Sequence, residues 1–153
     1  VSVPWLRTSI VISALVELLL DCAPPGSRRG PEPPRVVVGV ALTDPAGRVL
    51  AARRSAGGWE LPGGKVEPGE SEPAAAVREC AEELGVLVEV DGRLPGSQPC
   101  GERHLLRVWT GRILAGTPQR REHAELRWVA RDELAGLDWL PADRPFVRLL
   151  AGR

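Results

Sequence analysis

Glu79, Glu82 and Glu83 stand at positions i, i+3 and i+4 of the stretch VRECAEELGV. On an α-helix these positions share one side, so three carboxylates would crowd into a small volume. Carboxylates that close repel one another, and a hard divalent cation relieves the repulsion by binding oxygen. The competing explanation is an ordinary solvated helix face rich in glutamate, and the spacing alone does not choose between the two.

The flanking residues do choose. From Gly64 to Val86 the chain reads GKVEPGESEPAAAVRECAEELGV. Gly64, Glu70, Arg78, Glu79, Cys80, Glu82, Glu83, Gly85 and Val86 fit G-x5-E-x7-R-E-U-x-E-E-x-G-U, where U is apolar and Cys80 fills one such position. For average residue usage, a chance match in a chain of this length is on the order of one in ten million. The stretch resembles the signature of the Nudix hydrolases, most closely their MutT-type members, and weaker likeness runs from about Val36 to the C-terminus.

That resemblance implies an α+β fold, an α/β/α sandwich whose mixed sheet is flanked by the motif helix and a C-terminal helix. It implies hydrolysis of a nucleoside diphosphate linked to a further group. With a (deoxy)nucleoside triphosphate the products are monophosphate and pyrophosphate, as in the sanitation of nucleotide pools, on a substrate such as 8-oxo-dGTP or dCTP. Mg²⁺, with Mn²⁺ as a substitute, is the implied cofactor. Glu79, Glu82 and Glu83 are the implied metal ligands, with the carbonyl of Gly63 and the loop residue Glu122 completing the site. Glu122 is alternatively the base. Glu125 competes with it, and Glu122 is preferred because it lies six residues before Trp128. Arg78 is expected to orient Glu79 through a charge-assisted bond, and Glu70 to brace the loop. On the substrate side the resemblance points to Arg54, Lys65, Arg103 and Asp143. Asp143 stands where the pattern often has Asn, and a carboxylate accepts hydrogen bonds without donating unless it is protonated. Two other readings stay in play: a pyrophosphatase of ADP-ribose, coenzyme A or a sugar nucleotide, and a non-catalytic nucleotide-binding Nudix domain. The second is disfavoured because no motif glutamate is missing.

Elements must place these residues. Val36 to Thr43 (VVVGVALT) is apolar throughout, as a strand buried on both faces requires. Asp44-Pro45-Ala46-Gly47 fits a type I turn, and Arg48 to Arg53 is expected to return as the second arm of a hairpin. Ser71 is the candidate N-cap of the motif helix, Pro73 is tolerated in its first turn, and Gly85 ends it. Ala74, Val77, Ala81 and Leu84 form a stripe expected to pack on the sheet, opposite the carboxylates. Leu87 to Val90 reads as a short strand, Asp91 to Gly101 as a loop, and His104 to Ile113 as a strand with His104 at the surface. A polar loop from Gly116 to Glu125 precedes a strand over Leu126 to Val129 and a helical turn from Arg131. Asp143 then fits the N-cap of a helix running through Leu150.

The whole chain sets the outer bounds. Its 153 residues are enough for one domain with a proper core. Twenty basic and twenty acidic residues cancel, whereas binders of duplex nucleic acid are usually basic, so a polyanionic substrate must be managed locally. Cys22, Cys80 and Cys100 are far apart, with no CxxC or HExxH spacing, which fits a reduced cytoplasmic setting, as a monomer or homodimer. Ile10 to Leu20 is an apolar run behind Arg7, too short for the roughly 20 residues that span a bilayer. It looks like a signal-peptide core, but Glu17 within it and Asp21 beside the cleavage region argue against processing, and no membrane attachment is expected. Ala23 to Pro34 is a Pro/Gly-rich linker. Residues 1–34 are thus expected to be a poorly ordered extension or sequence upstream of a misassigned start, and residues 35–153 the Nudix domain.

Overall fold

Why the apolar run at Val36 forms the centre of the molecule follows from what covers it. In the computed structural model, which describes residues 30–152, it is strand β1 (Arg35–Leu42). The expectations for Ile10 to Leu20 and for most of the N-terminal extension lie outside the described residues. Both edges of β1 are occupied: β4 (Gly63–Lys65) pairs antiparallel on one side and β7 (His104–Ala115) runs parallel on the other. β5 (Leu87–Arg93) and β6 (Gln98–Pro99) then pair antiparallel with β7, giving the mixed order β4-β1-β7-β5. Alternate side chains of β1 feed two core layers. Val38, Val40 and Leu42 pack with Ala75, Ala76, Cys80 and Leu84 of helix α1 (Glu72–Leu84). Ala41 packs on the other side with Phe146, Val147 and Leu150 of helix α2 (Arg144–Ala151). The α/β/α sandwich is therefore the fold. All these elements belong to one unit beginning at Pro34.

Three expectations need correction. The turn forms, with the Gly47 N–H donating to Asp44 O at 2.9 Å, but β2 (Val49–Arg53) is no hairpin arm beyond the single Thr43–Val49 bridge. With both edges of β1 taken, β2 crosses to a second sheet and pairs antiparallel with β3 (Trp59–Glu60) and β8 (Glu125–Val129). The loop expected after Val90 is partly strand, because a bulge lets β5 follow β7 as far as Arg93 and β6 takes the same edge further on. The third concerns α1. Its caps are as expected: the Ser71 hydroxyl accepts from the Ala74 N–H at 3.3 Å, and Gly85 closes it at φ 69°. Its rotation is not, for Ala74 and Ala81 are exposed and the buried stripe is Ala75, Ala76, Cys80 and Leu84. Glu79 and Glu83 consequently sit at the border of the packed face instead of opposite it. A 3-10 turn over Arg131–Gly136 precedes α2.

Candidate active site

The rotation of α1 turns two glutamates toward the backbone of β4. The Oε2 atom of Glu83 accepts the Gly63 N–H at 3.2 Å. The carboxyl of Glu79 lies against Gly64, where an added Cβ would come 2.3 Å from its carbon. At Gly63 a Cβ would meet the Val38 carbonyl oxygen at 1.9 Å. Neither position has room for a side chain, so the two glycines are what let β4, β1 and the glutamates meet.

Arg78 is the hub of this end. Its Nε and one terminal nitrogen grip both oxygens of Glu70, at 2.8 and 2.9 Å. The other terminal nitrogen donates to Glu79 at 2.9 Å and reaches Glu82 at 3.4 Å, and a further bond goes to the Lys65 carbonyl at 2.9 Å. The planar, five-donor guanidinium suits such a fork. Its contacts hold Glu70 below the usual carboxylate range and push the arginine's own proton affinity up. Glu70 also accepts the Glu67 N–H at 3.0 Å, which closes the loop.

The three motif carboxylates have different surroundings. The Glu79 side chain is 13 % exposed and that of Glu82 is 59 % exposed. Burial drives the Glu79 carboxyl upward against the pull of Arg78, with Glu82 and Glu122 adding repulsion. Burial also raises Glu83, where His123 and the Gly63 N–H oppose it and Glu79 and Glu122 add to it. Among the described residues no three carboxylate, histidine or cysteine side chains already converge as a metal site. Glu79 and Glu82 are held by Arg78, whereas Glu83 is held by the Gly63 N–H. The chemistry of the donors nonetheless fits a hard cation, being all oxygen, partly desolvated and mutually repulsive.

A cavity of about 920 Å³ opens beside them, and its wall includes Gly63, Gly64, Lys65, Glu83 and Glu122 together with Arg54 and Asp143. Glu79, Glu82 and Arg103 are not on it. The two candidate loop glutamates are separated here: Glu125 belongs to β8 and pairs with Arg127 at 2.8 Å. Arg103 is exposed at the start of β7 and gives its carbonyl to the Arg35 N–H at 2.9 Å, while the next residue, His104, faces the cavity. Asp143 begins α2 but makes no side-chain cap bond. The residue is 4 % exposed and its carboxylate accepts the Leu61 N–H at 3.0 Å. Burial raises its pKa to about 7 despite that bond, with Glu60 raising it further and Arg54 opposing.

Sequence reasoning passed over Glu60 and His123 and placed His104 at the surface. Glu60 accepts Arg54 Nε at 2.8 Å with one oxygen and meets His123 Nε2 at 3.1 Å with the other. The chain has only two histidines, and both line the cavity. That scarcity, and the place of His123 directly after Glu122, were the signals available.

The chain is similar to known proteins in sequence and in fold. The family model described as NUDIX domain matches residues 33–150. A Mycobacterium tuberculosis (strain H37Rv) protein named "Putative 8-oxo-dGTP diphosphatase 2" is 46 % identical over 111 residues, covering 67 % of this chain and 79 % of that one. A CTP pyrophosphohydrolase of Escherichia coli (strain K12) is 36 % identical over 129 residues, covering 77 % and 96 %. Among solved structures, the MutT protein from Methanosarcina mazei Go1 superposes with a TM-score of 0.64 at 28 % identity, covering 79 % of this chain and 96 % of that one.

Proposed function

The chain belongs to the Nudix family of hydrolases, and on that premise we propose that it cleaves (deoxy)nucleoside triphosphates to monophosphate and pyrophosphate. The observation that carries this reading is one cavity of about 920 Å³ whose wall holds Glu83, Glu122 and Lys65 as well as Arg54 and Asp143. That volume is in the range that takes a nucleotide-sized ligand. It brings groups suited to phosphate chemistry and a group suited to a base edge onto one surface.

The residues that would hold a divalent cation are Glu79, Glu82, Glu83, Glu122 and the Gly63 carbonyl. When bound, Mg²⁺ or Mn²⁺ supplies neutralisation of phosphate charge and a more acidic water. Arg78 fixes the directions of Glu79 and Glu82 through its bonds to both. Lys65 and Arg54 offer cationic donors to phosphate oxygens from the cavity wall. Hydrolysis adds a water oxygen to phosphorus and releases pyrophosphate from the anhydride, and a carboxylate such as Glu122 or Glu83 can take the water's proton.

For the base, Asp143 commits one oxygen to Leu61 and leaves the other for the substrate. With its pKa near 7, that oxygen accepts from an exocyclic amine when charged and donates when protonated. Both an oxidised guanine and a cytosine ring meet this description, in keeping with the names of the two relatives. The test is a panel of canonical and damaged triphosphates, 8-oxo-dGTP, dCTP and CTP among them, incubated with Mg²⁺ or Mn²⁺ and assayed for pyrophosphate and monophosphate. Release from at least one triphosphate is expected. No release from any, with release from ADP-ribose or another nucleoside diphosphate derivative, would overturn the reading.

A further inference from the structure

Glu122 lies on the exposed loop between β7 and β8, where a side chain has no direction of its own unless neighbours impose one. The residues on either side of it are both anchored, and to different elements. Arg121 donates to the carbonyls of Ala81 and Glu82 at 3.1 and 3.2 Å, capping the C-terminal turn of α1. A cation there also meets the negative end of the helix dipole. Gly85 makes the approach possible, since a Cβ at that position would come 2.7 Å from the Arg121 guanidinium. The Gln119 N–H adds a bond to the Leu84 carbonyl at 2.8 Å. On the other flank the His123 ring is 7 % exposed and holds Glu60 of β3 at 3.1 Å. The Ala124 N–H donates to Arg53 O at 2.9 Å and secures the loop's exit.

We propose that Arg121 and His123 are positioning residues, a two-sided clamp that keeps Glu122 within reach of the same cation as Glu79 and Glu83. Arg121 is not on the cavity wall, whereas His123 is, and both act on Glu122 through the backbone that joins them. The bond of Arg121 is to the very helix that bears the other carboxylates, so the loop and the helix are held in one register. The proposal rests on the reading of Glu122 as a metal ligand.

Partners that orient a ligand typically change metal affinity or activity by about 10–100-fold when removed. Arg121→Ala and His123→Ala are therefore expected to weaken Mn²⁺ binding, followed by electron paramagnetic resonance, by about tenfold. kcat should fall by a similar factor, in Arg121→Ala with KM for the nucleotide staying within about twofold, and Arg121→Lys and His123→Gln should recover part of the loss. In a Glu122→Gln background, adding Arg121→Ala should cost less than about twofold more, because the arginine acts through Glu122. Equal losses in both backgrounds, or unchanged Mn²⁺ affinity in Arg121→Ala, would overturn the clamp. Should the wild-type chain hydrolyse no triphosphate, the proposed function fails, and the Mn²⁺ titration alone still decides the clamp.

Discussion

Asp143→Asn isolates the consequence of burying a carboxyl. The asparagine oxygen can accept the Leu61 N–H as the aspartate does, so the local geometry is retained while the titrating group is removed. Asp143 has an ordinary value of 3.8 that burial raises to about 7, which corresponds to ~4 kcal/mol between the two protonation states. Below about pH 4 the carboxyl is protonated in both the folded and the unfolded chain. As pH rises the unfolded chain ionises first, whereas the folded chain keeps its proton until near pH 7. The stability that comes with the protonated form is thus lost across that window, at a slope of up to about 1.4 kcal/mol per pH unit, and does not return above it. The variant has no such loss. Its stability minus that of the wild type should rise by on the order of 4 kcal/mol from about pH 4 to just above pH 7 and then level off. Urea unfolding of both chains at a series of pH values measures this, and the other ionisable groups cancel in the difference. A difference that stays flat would show that Asp143 ionises normally inside the fold, and the desolvation argument would be wrong.

Other outcomes follow from the same geometry. Glu82→Gln, whose side chain is largely exposed, should leave the unfolding midpoint unchanged and lower kcat by orders of magnitude; near wild-type rates with Mg²⁺ would remove Glu82 from the metal site. Gly64→Ala places a methyl 2.3 Å from the Glu79 carboxyl carbon and should cost about 1–3 kcal/mol of stability, along with most of the activity. A normal melting temperature and rate in that variant would show that Glu79 moves aside freely. A chain beginning at Arg35 is expected to keep full hydrolytic activity, since β1 starts there; failure of that chain to fold would show that the preceding residues belong to the domain.

How much of this was legible beforehand depends on the range of the interaction. Ser71, Pro73 and Gly85 mark the ends of α1 through bonds within a few residues, and the structure has those ends where the sequence places them. The Asp44–Gly47 turn is local in the same sense and also forms. The direction of β2 was not legible, because it depends on β4 and β7, both distant in sequence, having filled both edges of β1. The rotation of α1 escaped for a related reason. Alanines at 74, 75, 76 and 81 are alike in the sequence, and only the sheet beneath decides which of them it covers. Asp143 looked like an N-cap from its neighbours, yet the tertiary fold brings it to the Leu61 N–H, 82 residues earlier.

By itself the sequence determined the identity of the chemistry. Glutamates at helical spacing, the glycines ahead of them and an arginine among the carboxylates make up a motif that resembles the Nudix signature. It was that resemblance, in a chain that belongs to the family, that implied nucleotide hydrolysis. Only the tertiary structure decided how these groups are tuned and held. Burial, which no short stretch encodes, raises Glu79, Glu83 and Asp143, and long-range packing anchors the loop that bears Glu122, through Arg121 on Ala81 and His123 on Glu60.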